Sequence, residues 1–220
     1  MFSSRLLALP GVYRPQGDTQ LLADALAKED LSPAIDVLEI GTGTGALALS
    51  AAARGARVTA VDVSRRAVVT ARLNALRQHL PLQVMHGDFT QRVSGRRFDV
   101  IIANPPYVPS PAEGLPTSGA ARAWDAGPDG RLVIDRICAS APELLRADGG
   151  VLLMVHSAMC GPERTLKRLA QAGLAGQVTC RAQVPFGPVL RSRRAWLQRQ
   201  GFTGASDEQE ELVIIRAQAL

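Results

Sequence analysis

The chain has 220 residues, of which 46% are hydrophobic and 20% charged, and its formal net charge is +5. That length suits one domain with a full core and a short extension, and the composition excludes a disordered or fibrous chain. No apolar run reaches the ~18 residues a membrane span needs, and Pro10 interrupts the N-terminal apolar run too early for a signal peptide, so a cytoplasmic protein with no membrane contact is expected.

Residues 1–17 read as an irregular arm. Apolar residues then recur at helical spacing over 17–29, with Asp18 or Thr19 placed to cap the helix start. A short apolar strand at 36–41 runs into glycines, and a helix over 46–55 follows. A second strand, 56–63, reaches Asp62, and a helix over 64–79 has Ser64 as its cap. Strands at 82–88 and 98–106 precede a mostly helical segment at 129–147. A strand at 149–157 and a helix at 162–173 lead to two final strands, 177–184 and 211–217. The alternation predicts an α/β domain with a mainly parallel seven-stranded sheet and helices on both faces. The last two strands lack a crossover helix, so an antiparallel last strand is expected. In such sheets ligands bind beyond the carboxyl ends of the strands, and Glu39, Asp62, Asp88 and Asn104 all fall there.

The first strand-to-helix turn, "LEIGTGTG", places Gly41, Gly43 and Gly45 where a backbone can approach a ligand closely. A dinucleotide turn is usually G-x-G-x-x-G over a pyrophosphate. Here the spacing is G-x-G-x-G and Glu39 precedes it, which suits a ligand carrying an ammonium and a sulfonium. Asp62, 19 residues after Gly43, can accept hydrogen bonds from two ribose hydroxyls, as in NAD or S-adenosylmethionine sites. Asp88 can accept an adenine amino proton, with Phe89 beside the ring. Each acid could instead serve as a turn or helix cap.

The stretch "IIANPPYVP" (101–109) ends a strand in an amide, two prolines and an aromatic. The Asn104 side-chain oxygen and the Pro105 carbonyl can each accept one hydrogen of a planar NH₂ group. That leaves its nitrogen facing a fixed point, while the prolines restrict φ and offer no competing N–H. Tyr107 can lie against a flat substrate group. Such a site works by orientation, with reacting atoms held ~3–3.5 Å apart.

"EIGTGTG" with "NPPY" resembles class I S-adenosylmethionine-dependent methyltransferases that modify amide or exocyclic amino nitrogens. "VYRPQGDTQLLADAL", "NPPYVPSP" and "AWDAGPDGRLVIDRI" are further similar to the short HemK-related branch of protein N5-glutamine methyltransferases, over roughly residues 12–157. The resemblance implies a single Rossmann-like methyltransferase domain over 18–220, S-adenosylmethionine as cofactor and a translation release factor as protein substrate. By motif it implies cofactor contacts from Thr19, Glu39, Gly41, Gly43, Asp62, Asp88, Phe89 and Asn104. Asn104 and Pro105 would hold the target amide with Tyr107 nearby, and Tyr13 and Pro15 would belong to an arm closing over the cofactor. The 110–130 loop would border the substrate channel, with Trp124 either a wall or a buried anchor. Eukaryotic enzymes of this branch pair with a small zinc-binding activator along a sheet edge, here expected at "LQVMH" (82–86).

Two departures bear on the substrate. The longer bacterial release-factor enzymes carry an N-terminal helical recognition domain, for which this chain leaves no expected room. The short branch ends in a simple hairpin, whereas here a basic segment, 185–211, is inserted between the last two strands. Leu190, Arg194, Trp196 and Leu197 have the spacing of a short amphipathic helix. Arg191 and Arg194 make it a substrate-recognition flap for acidic protein or RNA phosphate, or else a surface helix packing Trp196 and Leu197 on the sheet edge. RNA is therefore an alternative substrate, through an exocyclic base amine, although aromatics for base stacking make up only 4% of the chain. Small-molecule N-methylation, with the insertion as a lid, and a non-catalytic binder on the same scaffold complete the alternatives. Cys138, Cys160 and Cys180 have no metal-type spacing, so no metal is expected and all three read as small buried hydrophobes.

Overall fold

Seven strands form one sheet: β1 (Asp36–Ile40), β2 (Arg57–Asp62), β3 (Gln83–His86), β4 (Val100–Ala103), β5 (Val151–Ser157), β6 (Leu174–Pro185) and β7 (Gln209–Ala219). Their spatial order is β3-β2-β1-β4-β5-β7-β6 in a computed structural model that describes residues 6–219. The first five pair in parallel, and β7 runs antiparallel between β5 and β6. β1, β4 and β5 are almost continuously apolar because both faces of a parallel sheet are covered. Sequence order reverses between β1 and β4, which opens a crevice beyond their carboxyl ends.

The helices are α1 (Gly17–Leu26), α2 (Ala46–Ala53), α3 (Arg65–Gln78), the one-turn α4 (Phe89–Arg92), α5 (Leu132–Leu144), α6 (Pro162–Gln171) and α7 (Pro188–Arg199). Alternate residues of each strand point to opposite faces. Leu38, Ile101 and Leu152 therefore pack under α5 and α6, with Ile134, Ile137 and Leu169. Val37, Ile102 and Leu153 pack under α1, α2 and α3, with Leu22, Leu47 and Val68. A third, smaller cluster joins Leu190 and Leu197 of α7 to Val108 and Phe186.

Several boundaries differ from the sequence expectation, each for a local reason. β4 stops at Ala103, before Asn104, because the two prolines that follow cannot donate to a ladder. α1 begins at Gly17 with Gln16 as its flanking residue and no side-chain cap. Asp18 and Thr19 are thus inside the first turn and buried, not capping it. Ser64 does cap α3, accepting from the Ala67 N–H at 3.4 Å. β6 and β7 are longer than expected, so α7 is carried on the 186–208 connection. Cys138 and Cys160 are buried, but Cys180 is half-exposed where the β6–β7 register shifts on the edge strand.

Candidate active site

The crevice holds a cavity of about 870 Å³, within the range of small-molecule sites. Its floor is the turn after β1. Gly43 has a φ of +54°, a conformation open to glycine, and its N–H is donated to Asp62 Oδ2 at 2.9 Å. Gly45 also has a positive φ, and a Cβ there would come within 3.1 Å of the Ala71 side chain, so α2 and α3 meet across it. Glu39 lies beneath this turn, only 3% exposed, and accepts from the Thr42 hydroxyl and from the Ala48 N–H at 3.1 Å. Burial pushes its carboxyl up to about 8, against the pull of those two donors.

Asp62 ends β2 with both oxygens engaged, Oδ2 by Gly43 N–H and Oδ1 by Ser64 N–H at 2.7 Å. Burial still raises its pKa above the usual value. Asp88 combines two of the roles open to it in sequence. It lines the cavity and also caps α4, Oδ1 accepting from Thr90 N–H at 3.0 Å and the Thr90 hydroxyl at 2.6 Å. Its Oδ2 pairs with Arg136 at 2.7 Å. Partial desolvation works against ionisation, yet the Thr90 and Arg136 donors outweigh it, and the carboxyl sits below its usual range. The Arg136 guanidinium also lies 5.5 Å from the Phe89 ring centroid, so an aromatic and a cation stand together on this wall.

At the other end, Asn104 Nδ2 donates to Asp18 Oδ2 at 3.0 Å and lies 3.4 Å from Thr19 Oγ1. The same Asp18 oxygen accepts the Tyr13 hydroxyl at 2.9 Å and is 3.4 Å from the Tyr107 hydroxyl. Asp18 Oδ1 accepts from Thr19 N–H at 2.6 Å and from its hydroxyl at 3.1 Å. Burial and the neighbouring Asp18 hold the Tyr13 proton far above the normal phenol range. Behind Tyr107 the packing is close. Its carbonyl accepts from the Cys160 thiol at 3.1 Å, and a Cβ on Gly130 would sit 2.3 Å from that carbonyl oxygen. Glu210 of β7 completes this end, with Oε2 buried and, among the described residues, lacking a hydrogen-bond partner. Burial raises its carboxyl to about 7, with the Ser157 hydroxyl opposing and Asp18 assisting.

The 110–130 loop contributes Leu115, Arg122 and Trp124 to the cavity rim. Trp124 is both wall and anchor, since it also packs against the α7 cluster. Within α7, Leu197 is fully buried and Trp196 half-buried 6.1 Å from Phe202. Arg193 donates to the Pro109 carbonyl at 3.1 Å and forms an ion pair with Asp125 at 2.6 Å, which clamps α7 over the segment following Tyr107. The helix thus packs on the crevice rather than on the outer sheet edge. Arg194 is turned to the Ala205 carbonyl, and neither it nor Arg191 lines the cavity.

Residues 4–116 match the methyltransferase small domain family. The chain belongs to that family of methyltransferases. A Methanocaldococcus jannaschii protein assigned by name as a protein N5-glutamine methyltransferase is 35% identical over 182 residues, 82% of this chain and 90% of its own. Methyltransferase HEMK2 of Mus musculus is 35% identical over 179 residues, 77% of this chain and 82% of its own. The release factor glutamine methyltransferase of Moorella thermoacetica is 37% identical over 157 residues, 67% of this chain but 56% of its own. Among solved structures, the E. cuniculi Mtq2–Trm112 complex, responsible for methylation of the eRF1 translation termination factor, gives a TM-score of 0.64 at 23% identity, over 96% of this chain and 99% of that one. That likeness is one of fold.

Within this methyltransferase, Thr19, Glu39, Gly41, Gly43, Asp62, Asp88, Phe89, Asn104, Pro105, Tyr107, Tyr13, Pro15 and Trp124 all line the one cavity. Sequence reasoning missed four residues that shape it. Asp18 carried a signal, a carboxylate beside Thr19, but was taken for a cap. Arg136 lies on α5, one turn beyond the "GPDGR" stretch, with nothing local to mark its reach to Asp88. Asn74 is an amide on the buried side of α3, 1% exposed, and its Nδ2 bonds the carbonyls of Leu7 and Thr44 at 2.9 Å each. It ties the arm to the glycine turn. Glu210 sits in a run of acids that reads as a solvated patch. Among the described residues no cluster of side chains could hold a metal ion, and no helix is long and apolar enough to cross a membrane.

Proposed function

We propose that this methyltransferase transfers the methyl group of S-adenosylmethionine to the side-chain nitrogen of a glutamine in a protein, a translation release factor, in the cytoplasm. The observation that carries this reading is the state of Asn104. Its Nδ2 is committed to Asp18 and lies beside Thr19, so Oδ1 is the end of the amide left to accept from a substrate. The Pro105 carbonyl supplies the second acceptor, on a backbone whose N–H groups are removed by proline. Two acceptors for two amide hydrogens fix the plane of the target group and turn its nitrogen toward one point. The site supplies orientation and desolvation rather than a strong base. Relatives named as glutamine methyltransferases support an amide target in a protein.

The residues present fit the cofactor by donor chemistry. Asp62 keeps a lone pair on each oxygen for a ribose diol, Phe89 and Arg136 flank the position for a flat base, and the positive-φ glycines leave the turn without side chains toward the cavity. Bound there, S-adenosylmethionine would supply an electrophilic methyl group on a sulfonium. Asp62, and Glu39 once it is ionised, would set a negative potential against that positive charge.

The same reading includes a small zinc-binding activator subunit at the β3 edge. Among the described residues β3 pairs only with β2, and α3 beside it exposes Val69, Leu73 and Leu76, the last at 71%. Those three residues share one helix face. Such a stripe, next to an open strand edge, suits a partner that adds a strand and covers apolar surface.

The test is a methyl-transfer assay with radiolabelled S-adenosylmethionine, a purified release factor and a cell extract, beside an Asn104→Ala control, with and without an activator subunit. Label on a glutamine of the release factor, absent from the control, supports the proposal. Label destroyed by ribonuclease moves the substrate to RNA, and label only in small molecules removes the protein substrate altogether.

A further inference from the structure

We infer that Asp18 is a positioning residue that locks the orientation of the Asn104 amide and makes that lock depend on the docking of the N-terminal arm. The inference rests on the glutamine-methyltransferase reading for its kinetic consequences, though not for its geometry. Carboxamide oxygen and nitrogen are nearly the same size, so an asparagine beside a substrate is free to present either end unless its neighbours choose. An ionised carboxylate only accepts. With Asp18 Oδ2 at 3.0 Å, Nδ2 facing it makes a hydrogen bond, whereas the flipped amide would set two acceptors against each other at the same distance. Asp18 thereby turns Oδ1 away from itself, the orientation a target NH₂ group requires.

The arm enters through Tyr13. Its hydroxyl donates to the same Oδ2 at 2.9 Å, so one oxygen serves both the arm and Asn104. Thr19 holds the other oxygen by N–H and hydroxyl, which fixes the carboxylate plane from within α1. Asp18 is 4% exposed. Part of that cover is the arm itself, and Asn74 pins the arm at Leu7 through hydrogen bonds in both directions, each 2.9 Å. Removing Tyr13 would take one donor from Oδ2 and loosen the plane that Asn104 relies on. A contact needed to close the arm is then also a contact needed to aim the acceptor. Charge-assisted hydrogen bonds of this kind are the strong ones, and an aim lost by an ångström costs turnover rather than cofactor binding.

The experiment has a kinetic arm and a spectroscopic arm. Asp18→Ala is expected to lower turnover on the release factor by about 30-fold and Tyr13→Phe by about 5-fold, both with cofactor Kd within about 3-fold of the parent. The double variant should be no slower than Asp18→Ala alone, because Tyr13 acts through Asp18. In protein labelled with ¹⁵N-asparagine, the two Asn104 Nδ2 protons should exchange slowly with solvent, and exchange should quicken in Asp18→Ala. Turnover within 3-fold of the parent, a loss lying wholly in cofactor affinity, additive effects, or an Asn104 amide signal indifferent to Asp18 would each overturn the inference. If the parent enzyme transfers nothing to a release factor, the substrate proposal fails while the exchange measurement still decides the lock.

Discussion

The two ends of the crevice are built in different ways. At the end proposed to bind the cofactor, Glu39, Gly43, Asp62 and Asp88 come from consecutive strand ends, and local donors such as Thr42, Ser64 and Thr90 hold the carboxylates. At the end proposed for the target amide, Asn104 is held by Asp18, 86 residues away in the chain, while Glu210 and α7 arrive from the far C-terminal side. The first end is a property of short segments. The second exists only once the sheet has formed and the arm and α7 have closed on it. The difference implies that binding and aiming are separable, and the largest test follows from that. Asn104→Ala should cut turnover by about 100-fold or more while leaving cofactor affinity within about 3-fold. Asp62→Ala should do the reverse, weakening cofactor Kd by about 10- to 100-fold with turnover at saturation little changed. Equilibrium binding beside steady-state rates reads both. If Asn104→Ala also loses cofactor affinity to the same degree, the two ends are one unit.

A second test asks whether α7 belongs to the fold or only visits it. Leu197 is fully buried between α7 and the Val108 segment. Leu197→Ala should destabilise the protein by about 2–5 kcal/mol through lost burial and the cavity left behind. In a chain of this size that corresponds to a drop in Tm of roughly 5–15 °C. An unchanged Tm would mean that α7 is a loosely attached flap.

What could be read in the sequence follows the same division. The strand ends, the glycine turn and the amide-proline stretch were legible because each is a local pattern whose chemistry needs only adjacent residues. The antiparallel last strand was legible from the missing crossover helix. Asp18 was misread because a carboxylate near a helix start has a local explanation, capping, and only tertiary structure shows it facing Asn104 instead. Arg193 lies among the arginines of the basic insertion, where charge is visible in sequence and a partner is not. Its Asp125 lies 68 residues earlier, on a loop with no regular pattern.

The third test takes one residue in which stability and binding oppose each other. Glu39 has its carboxyl raised to about 8 by burial, against an ordinary value of 4.5. The folded state therefore holds this proton more tightly than the unfolded chain does. Stability falls as pH rises from about 4.5 through about 8, and the full penalty is present above that. Glu39→Gln keeps an oxygen for Thr42 and Ala48 but cannot ionise. Its Tm should match the parent near pH 5 and exceed it near pH 9. Above about pH 8, where Glu39 is ionised, cofactor affinity should move the other way, since the variant lacks the negative charge that a sulfonium and an ammonium would meet. Equal Tm differences at both pH values would sink the assignment of the penalty to Glu39.

The smallest effects separate α7's arginines from one another. Arg191 and Arg199 are exposed, and among the described residues neither pairs with a carboxylate. Arg193 is only 21% exposed in its side chain and faces Asp125 at 11%. Replacing Arg193 by Gln leaves that carboxylate buried without its cation, and a loss of about 1–3 kcal/mol is expected. The same change at Arg191 or Arg199 should stay within about 0.5 kcal/mol, as for an ordinary surface position. Their value lies in what they say about substrate. With a protein acceptor, Arg191→Gln and Arg199→Gln together should alter turnover less than about 2-fold, because neither reaches the cavity. An RNA acceptor would behave otherwise. Each phosphate contact contributes about one unit to the slope of log affinity against log salt, so losing two would flatten that slope measurably. A salt slope that is already near zero in the parent protein and unchanged in the double variant leaves α7 as a wall of the target site, clamped by Arg193. A steep slope that falls by about two would make the same helix face a phosphate-binding surface.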